Sequence, residues 1–145
     1  MNTLEIVNFI LKDDEAKKYF IGVFAKDELP KTINYPASLI LNSHESDKPG
    51  EHWMAIFYDQ VGKAEFFDSY GIHPEFYNLT NYLNSTSNSW TWNKKCVQGI
   101  FSNYCGYYCI LFLLFKSRNY SLDYFLKFFN SNTSFNDKLI QKLIE

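Results

Sequence analysis

The sequence predicts a single α+β domain spanning residues 1–145. Three observations carry that expectation. An almost wholly apolar run from Cys105 to about Lys116 reads as a helix buried on all sides. Two runs of strand-forming residues, 51–58 and 64–68, flank the turn Asp59-Gln60-Val61-Gly62-Lys63 and so read as a β-hairpin. Shorter helical segments lie towards both ends, and no internal repeat or long linker divides the chain. With 46% hydrophobic and 19% aromatic residues, a chain of this length can fill a substantial core.

Taken in order, Thr3 ahead of Glu5, beside Leu4, Ile6, Val7, Ile10 and Leu11, predicts a short capped amphipathic helix whose apolar stripe covers a sheet. Residues 19–25 are aromatic and β-branched but interrupted by Gly22 and stopped by Leu29-Pro30, which predicts an irregular or short extended piece. After Pro36, residues 37–41 form a short apolar segment and 42–50 a polar loop leading into the hairpin. Residues 74–83, opening on Pro74, predict a helix, and 84–89 a polar loop. Trp90-Thr91-Trp92 alternates as a short strand, and Cys96-Val97-Gln98 either continues it or begins the next piece. Two further helices are expected at roughly 121–129 and 134–144.

Composition narrows the classes of function. The net charge is −2, and 13 Lys stand against a single Arg, Arg118, so nothing favours a polyanion partner and bidentate phosphate forks are nearly absent. Cys96, Cys105 and Cys109 cannot form an even disulfide framework, and two of them lie four apart in the predicted helix, which points to an intracellular reducing compartment. They fit no zinc spacing. The N-terminus lacks a basic region followed by an apolar one, so no signal peptide is expected. The apolar run 110–115 falls far short of the roughly 20 residues a membrane span needs. We expect a soluble monomer.

The chemistry gathers around Cys96-Val97-Gln98-Gly99-Ile100-Phe101-Ser102-Asn103-Tyr104-Cys105-Gly106. If Cys105 opens the buried helix, its thiol lies beside unpaired N–H groups at the positive end of the helix dipole, conditions that favour the thiolate. His52 lies near the start of the first hairpin strand and Asp68 at the end of the second. Antiparallel strands bring those two ends to one edge of the sheet, which places an imidazole beside a carboxylate. Cys109, one turn further into the helix, reads as core, while His44 and His73 have no comparable partners and read as surface loop residues.

In the order His52, Asp68, Gln98, Cys105, the chain resembles the adenovirus protease (adenain) family of cysteine peptidases, in the clan that also holds the SUMO and related ubiquitin-like proteases. The matching pieces are Tyr19-Phe20-Ile21-Gly22, His52-Trp53-Met54-Ala55, Phe67-Asp68-Ser69-Tyr70-Gly71, and Val97-Gln98-Gly99 with Cys105-Gly106 seven residues after the glutamine. The resemblance implies a small mixed or antiparallel sheet packed on the nucleophile helix. It makes His52 the general base, Asp68 its orienting carboxylate, Gln98 the side-chain oxyanion donor, and Cys105 the nucleophile with its own N–H as a second donor. Trp53 would pack by the imidazole, and Gly106 completes the Cys-Gly pair.

The implied activity is an endopeptidase acting on capsid precursors of viruses or mobile elements at Gly-containing sites, in the cytoplasm, the nucleus or a viral particle. Two alternatives are a peptidase acting on a ubiquitin-like modifier and a non-enzymatic binding module on the same fold. In the family a short peptide and DNA act as activators. The residues themselves require no cofactor and no metal, and the charge balance gives DNA no support.

Overall fold

The computed structural model describes residues 1–46 and 52–144. Five strands, β1 (Phe20–Ala25), β2 (Ala37–Asn42), β3 (Trp53–Tyr58), β4 (Lys63–Phe67) and β5 (Ser89–Trp92), form one sheet in that order. The β2–β3 and β3–β4 pairs are antiparallel, and the outer pairs β1–β2 and β4–β5 are parallel, so the sheet is mixed. The helices are α1 (Thr3–Leu11), α2 (Thr80–Thr86), α3 (Cys105–Ser117), α4 (Leu122–Leu126) and α5 (Thr133–Ile144). The expected α+β architecture, with a central buried helix against a small sheet, is the one observed.

Both faces of the sheet are covered, and this explains why its middle strands read as continuous apolar runs. Along β3, Ala55 and Phe57 join the cluster beneath α3 with Tyr108, Cys109 and Phe112, while Met54, Ile56 and Tyr58 join the opposite cluster with Tyr77, Leu79 and Leu83. Strand alternation therefore divides one apolar sequence between two cores. Helix α3 is enclosed between the sheet and the helices α1, α4 and α5 that share its core cluster. Phe112 stacks on Phe67 at 4.9 Å between ring centroids, and Phe125 of α4 meets Phe67 edge-on at 5.6 Å.

Several boundaries differ from expectation for identifiable reasons. The α1 cap is Asn2, not Thr3: its Oδ1 accepts the Glu5 N–H at 2.9 Å and its Nδ2 donates to Glu5 Oε1 at 3.1 Å, the three-residue spacing a capping box needs. Residues 20–25 form a full edge strand, with the irregularity confined to a register shift between Phe20 and Gly22. The expected helix 74–83 breaks at Asn78, whose φ of 59° ends a single 3₁₀ turn (Pro74–Tyr77) before α2 begins. The polar residues 84–86 are helical, with Thr86 Oγ1 donating back to the Tyr82 carbonyl at 2.8 Å, just as Ser87 Oγ after the helix donates to that of Leu83 at 2.6 Å.

Cys96-Val97-Gln98 is not a strand: the N–H groups of Val97 and Gln98 both donate to the Ser69 carbonyl, at 2.8 and 3.1 Å. Helix α4 ends at Leu126, where Lys95 Nζ donates to the Leu126 carbonyl at 3.0 Å and also to that of Phe129. Of the polar loop expected at 42–50, Asn42 belongs to β2; residues 47–51, including Glu51 of the expected strand, lie outside the described residues.

Candidate active site

The hairpin sets the first half of the site. His52 immediately precedes β3 and Asp68 immediately follows β4, and the register Ala55↔Phe67 brings those two ends together at one sheet edge. His52 Nε2–H donates to Asp68 Oδ1 at 2.6 Å, a buried contact between an imidazole and a carboxylate with no exposed surface. The Tyr70 N–H donates to the same oxygen at 2.9 Å, and Tyr77 OH donates to Oδ2 at 2.6 Å. Three donors thus fix the carboxylate. Asn93 holds its backbone, accepting the Asp68 N–H at 3.0 Å and donating to the Asp68 carbonyl at 2.6 Å.

The chain can turn so sharply after Asp68 because of Gly71. Its φ is +71°, and a side chain there would place Cβ 2.6 Å from the Lys94 carbonyl oxygen. The resulting turn returns Tyr70 across the imidazole, and the two rings stack at 4.8 Å between centroids. Tyr77 flanks His52 as well, at 6.2 Å.

Cys105 is the first residue of α3, and its neighbour Tyr104 supplies no side-chain cap, so the helix-terminal N–H groups remain to interact with the thiol. The Trp53 N–H donates to Cys105 Sγ at 3.5 Å, and the His52 imidazole lies near enough to the thiol to shift its ionisation. With Nε2 committed to Asp68, Nδ1 is the ring nitrogen left for sulfur. Burial opposes charge on Cys105, but the hydrogen bonds from His52 and Trp53, with the imidazolium charge, hold the thiol below its ordinary range. Burial likewise opposes charge on His52, and the hydrogen bond to Asp68, then that to Cys105, overcomes it and raises the imidazole from 6.5 to about 9. The two shifts favour a thiolate–imidazolium pair at neutral pH.

The other cysteines lack these conditions. Cys109 is wholly buried, and burial pushes its thiol well upwards; Cys96 is exposed and also raised, chiefly by partial burial of the thiol itself. Gln98 is buried close by but does not line the cleft: its Oε1 accepts from Ser69 Oγ, and its Nε2 donates to the Ser102 carbonyl at 3.0 Å and Ser102 Oγ at 2.9 Å. Trp53 lies against Gly106, whose ideal Cβ position is 3.3 Å from Trp53 Cδ1, and its indole N–H donates to the Met1 carbonyl at 3.1 Å.

His52, Trp53, Tyr70, Ser102 and Cys105 face an open cleft of about 820 Å³ that continues along Val23–Ala25 and the α1 entrance. His44, expected as a surface loop residue, lines this cleft, because the chain leaving β2 passes along its rim. His73 is an exposed loop residue as expected; its Nδ1 accepts the Glu75 N–H at 3.0 Å, and its ring packs edge-on against Trp92 at 4.3 Å. Among the described residues no group of His, Cys, Asp and Glu could hold a metal ion, and no helix is long and apolar enough to cross a membrane.

Sequence reasoning missed Ser69, Tyr70, Tyr77, Asn93 and Ser102. Ser69 and Tyr70 directly follow Asp68 and were open to inspection as a turn. Tyr77 and Asn93 reach Asp68 from separate elements and carry no local signal.

This α+β fold lays a buried helix, with a cysteine at its first residue, across a mixed sheet whose edge supplies a histidine–aspartate pair. Among the solved structures that share it are two of the ASFV (African swine fever virus) pS273R protease. One is 22% identical over 81% of this chain and 44% of its own, with a TM-score of 0.50. The other is 17% identical over 76% of this chain and 54% of its own, with a TM-score of 0.51. The chain therefore spans about half the length of those structures, and at these identities the likeness is one of fold. No family model and no curated protein matches the sequence.

Proposed function

We propose that this protein is a cysteine peptidase. The observation that carries the proposal is the Cys105–His52–Asp68 relay at the head of α3, with the imidazole raised to about 9 and the thiol lowered. Cys105 Sγ bonds to the peptide carbonyl carbon, and the carbonyl electron pair moves to oxygen. The Cys105 N–H and, by the family resemblance, the Gln98 amide stabilise that oxyanion. The His52 imidazolium gives its proton to the leaving amine as the C–N bond breaks, which leaves a thioester. Water then gives a proton to His52 and attacks the thioester, and the C–S bond breaks as the thiol is restored.

Substrates are extended peptide segments, since the cleft is open along its length. The family resemblance favours capsid precursors of viral or mobile-element origin, cut at Gly-containing sites. A reducing compartment suits an enzyme that depends on a free thiol. The test is incubation with a peptide vinyl sulfone ending in Gly, and in parallel with ubiquitin-like modifiers carrying the same electrophile, followed by mass mapping of the adduct. A Cys105 adduct with the peptide alone supports the capsid-type endopeptidase, and preference for a modifier supports a peptidase of that class. Absence of any Cys105 adduct, in protein whose thiol still reacts with iodoacetamide, refutes the enzyme and leaves a binding module.

A further inference from the structure

The Gln98 amide is fully committed. Its Nε2 donates to two acceptors of Ser102, the backbone carbonyl at 3.0 Å and Oγ at 2.9 Å. A backbone carbonyl can only accept, so the nitrogen must face Ser102 and the oxygen must face Ser69, whose hydroxyl donates to it. Ser69 is wholly buried, and its own carbonyl accepts the N–H groups of Val97 and Gln98. The residue next to Asp68 thus grips Gln98 by backbone and side chain together.

Ser102 belongs to the segment that joins Gln98 to Cys105, and it lines the cleft beside the thiol. That segment is tied near its base, where the Gly99 N–H donates to Asp137 Oδ2 at 3.2 Å, while Phe101 at its tip is 98% exposed and Ile100 78%. Ser102 can therefore move away from Gln98 without disturbing packed core.

We infer that Ser69 is a positioning residue that aims the Gln98 amide, and that Ser102 is a resting acceptor which a substrate oxygen must displace. This rests on the peptidase mechanism and deepens it. Ser102 offers neutral oxygens, which compete on equal terms with a neutral substrate carbonyl. Hydrogen bonds to a charged acceptor are roughly twice as strong, so the oxyanion displaces Ser102 where the ground-state carbonyl does not. The donor is then released mainly to the transition state, the condition for accelerating the chemical step.

Two substitutions with opposite expected signs test the inference. Ser69→Ala removes the donor that braces the amide oxygen, so the amide is held by Ser102 alone and loosens; kcat/KM falls by about 2- to 10-fold, the range of one net hydrogen bond, while the Cys105 alkylation rate is unchanged. Ser102→Ala removes one of the two competing acceptors from the free enzyme but nothing from the transition state, so kcat/KM rises by about 2- to 10-fold. In the double variant Ser69→Ala/Gln98→Ala, the loss equals that of Gln98→Ala alone.

A readout independent of cleavage comes from the Gln98 side-chain amide in ¹⁵N-labelled protein. Its hydrogens face Ser102 in the parent, and Ser69→Ala should lower their protection from exchange and broaden or shift the amide signals. Unchanged amide signals in Ser69→Ala, lower kcat/KM in Ser102→Ala, or additive losses in the double variant overturn the inference. A parent that cleaves nothing, with amide signals that respond as described, refutes the peptidase and establishes the Ser69 hold.

Discussion

Replacing Asp68 by Asn isolates the charge of the site from its geometry, because of where the three donors approach. Oδ1 accepts from His52 Nε2 and the Tyr70 N–H, and Oδ2 accepts from Tyr77 OH. An asparagine amide can keep its oxygen on the His52 and Tyr70 side and turn its NH₂ towards Tyr77, whose hydroxyl can rotate to accept. The imidazole keeps its tautomer and its orientation and loses only the negative charge beside it. In the parent the imidazolium is favoured strongly enough to move His52 from 6.5 to about 9 against the effect of burial. That interval corresponds to about 3–4 kcal/mol, or roughly 300-fold in the balance between charged and neutral imidazole. The hydrogen bond to Asp68 is the largest of the supporting contributions, so in Asp68→Asn the imidazole should titrate near or below 6.5. Turnover at neutral pH should fall by up to roughly 300-fold, with little change in melting temperature. The measurements are an NMR titration of the His52 ring proton and kcat on one peptide substrate. An imidazole still titrating near 9 would refute the reasoning, and turnover within about threefold of the parent, far short of the loss expected for that charge, would reduce the mechanism to a Cys–His dyad.

Cys105→Ala should abolish cleavage with little loss of stability, and iodoacetamide at neutral pH should modify Cys105 ahead of Cys96 and Cys109; mass mapping that finds the label mainly on either of those two contradicts the assignment. Gln98→Ala should lower kcat by about 10²–10³ while alkylation proceeds normally, and steady-state kinetics beside a labelling time course decides it. Tyr77→Phe leaves Asp68 Oδ2 without its hydroxyl donor and should cost about 1.5–3 kcal/mol of stability, the range of a hydrogen bond to a charged group, read by urea unfolding. In the parent, kcat/KM should rise with pH to a plateau whose midpoint lies below the ordinary thiol value of 9.0, and should fall again above about 9, as His52 loses the proton that the leaving amine must receive. A single acidic limb with no alkaline fall would remove His52 as the acid.

Those elements that local chemistry determines were legible in the sequence, and those that depend on distant partners were not. The run from Cys105 read correctly as one helix because a helix enclosed on every side has no polar face to confuse its period. The hairpin was legible because Gly62, at φ +84°, and the Asp59 carboxylate, which accepts the Val61 and Lys63 N–H groups at 3.0 and 2.9 Å, make the turn out of adjacent residues. By contrast, β1 looked interrupted at Gly22, and only its parallel pairing with β2 makes it a strand. Nothing in residues 74–83 reveals that the chain stops being helical at Asn78, because the left-handed conformation there suits an exposed turn as readily as a cap.

The same division runs through the site and explains what kind of residue was missed. His52, Asp68 and Cys105 are each fixed by their place on an element: the start of one strand, the end of the next, and the first turn of a helix. The juxtaposition of His52 and Asp68 follows from hairpin geometry, whereas Cys105 was joined to them only through the family resemblance. Tyr77 and Asn93 reach Asp68 across 9 and 25 residues of sequence from elements with no repeating pattern. Their importance follows from desolvation: a carboxylate without exposed surface needs its lone pairs met by donors, and the donors can come from anywhere the fold brings one. Gln98 falls between the two cases. Its spacing from Cys105 marked it by resemblance, but its hydrogens face Ser102, a contact no spacing could indicate. The sequence of such a site thus identifies the groups that undergo the chemistry more readily than the groups that hold them ready for it, because holding is a property of closure in three dimensions and leaves only scattered single residues behind.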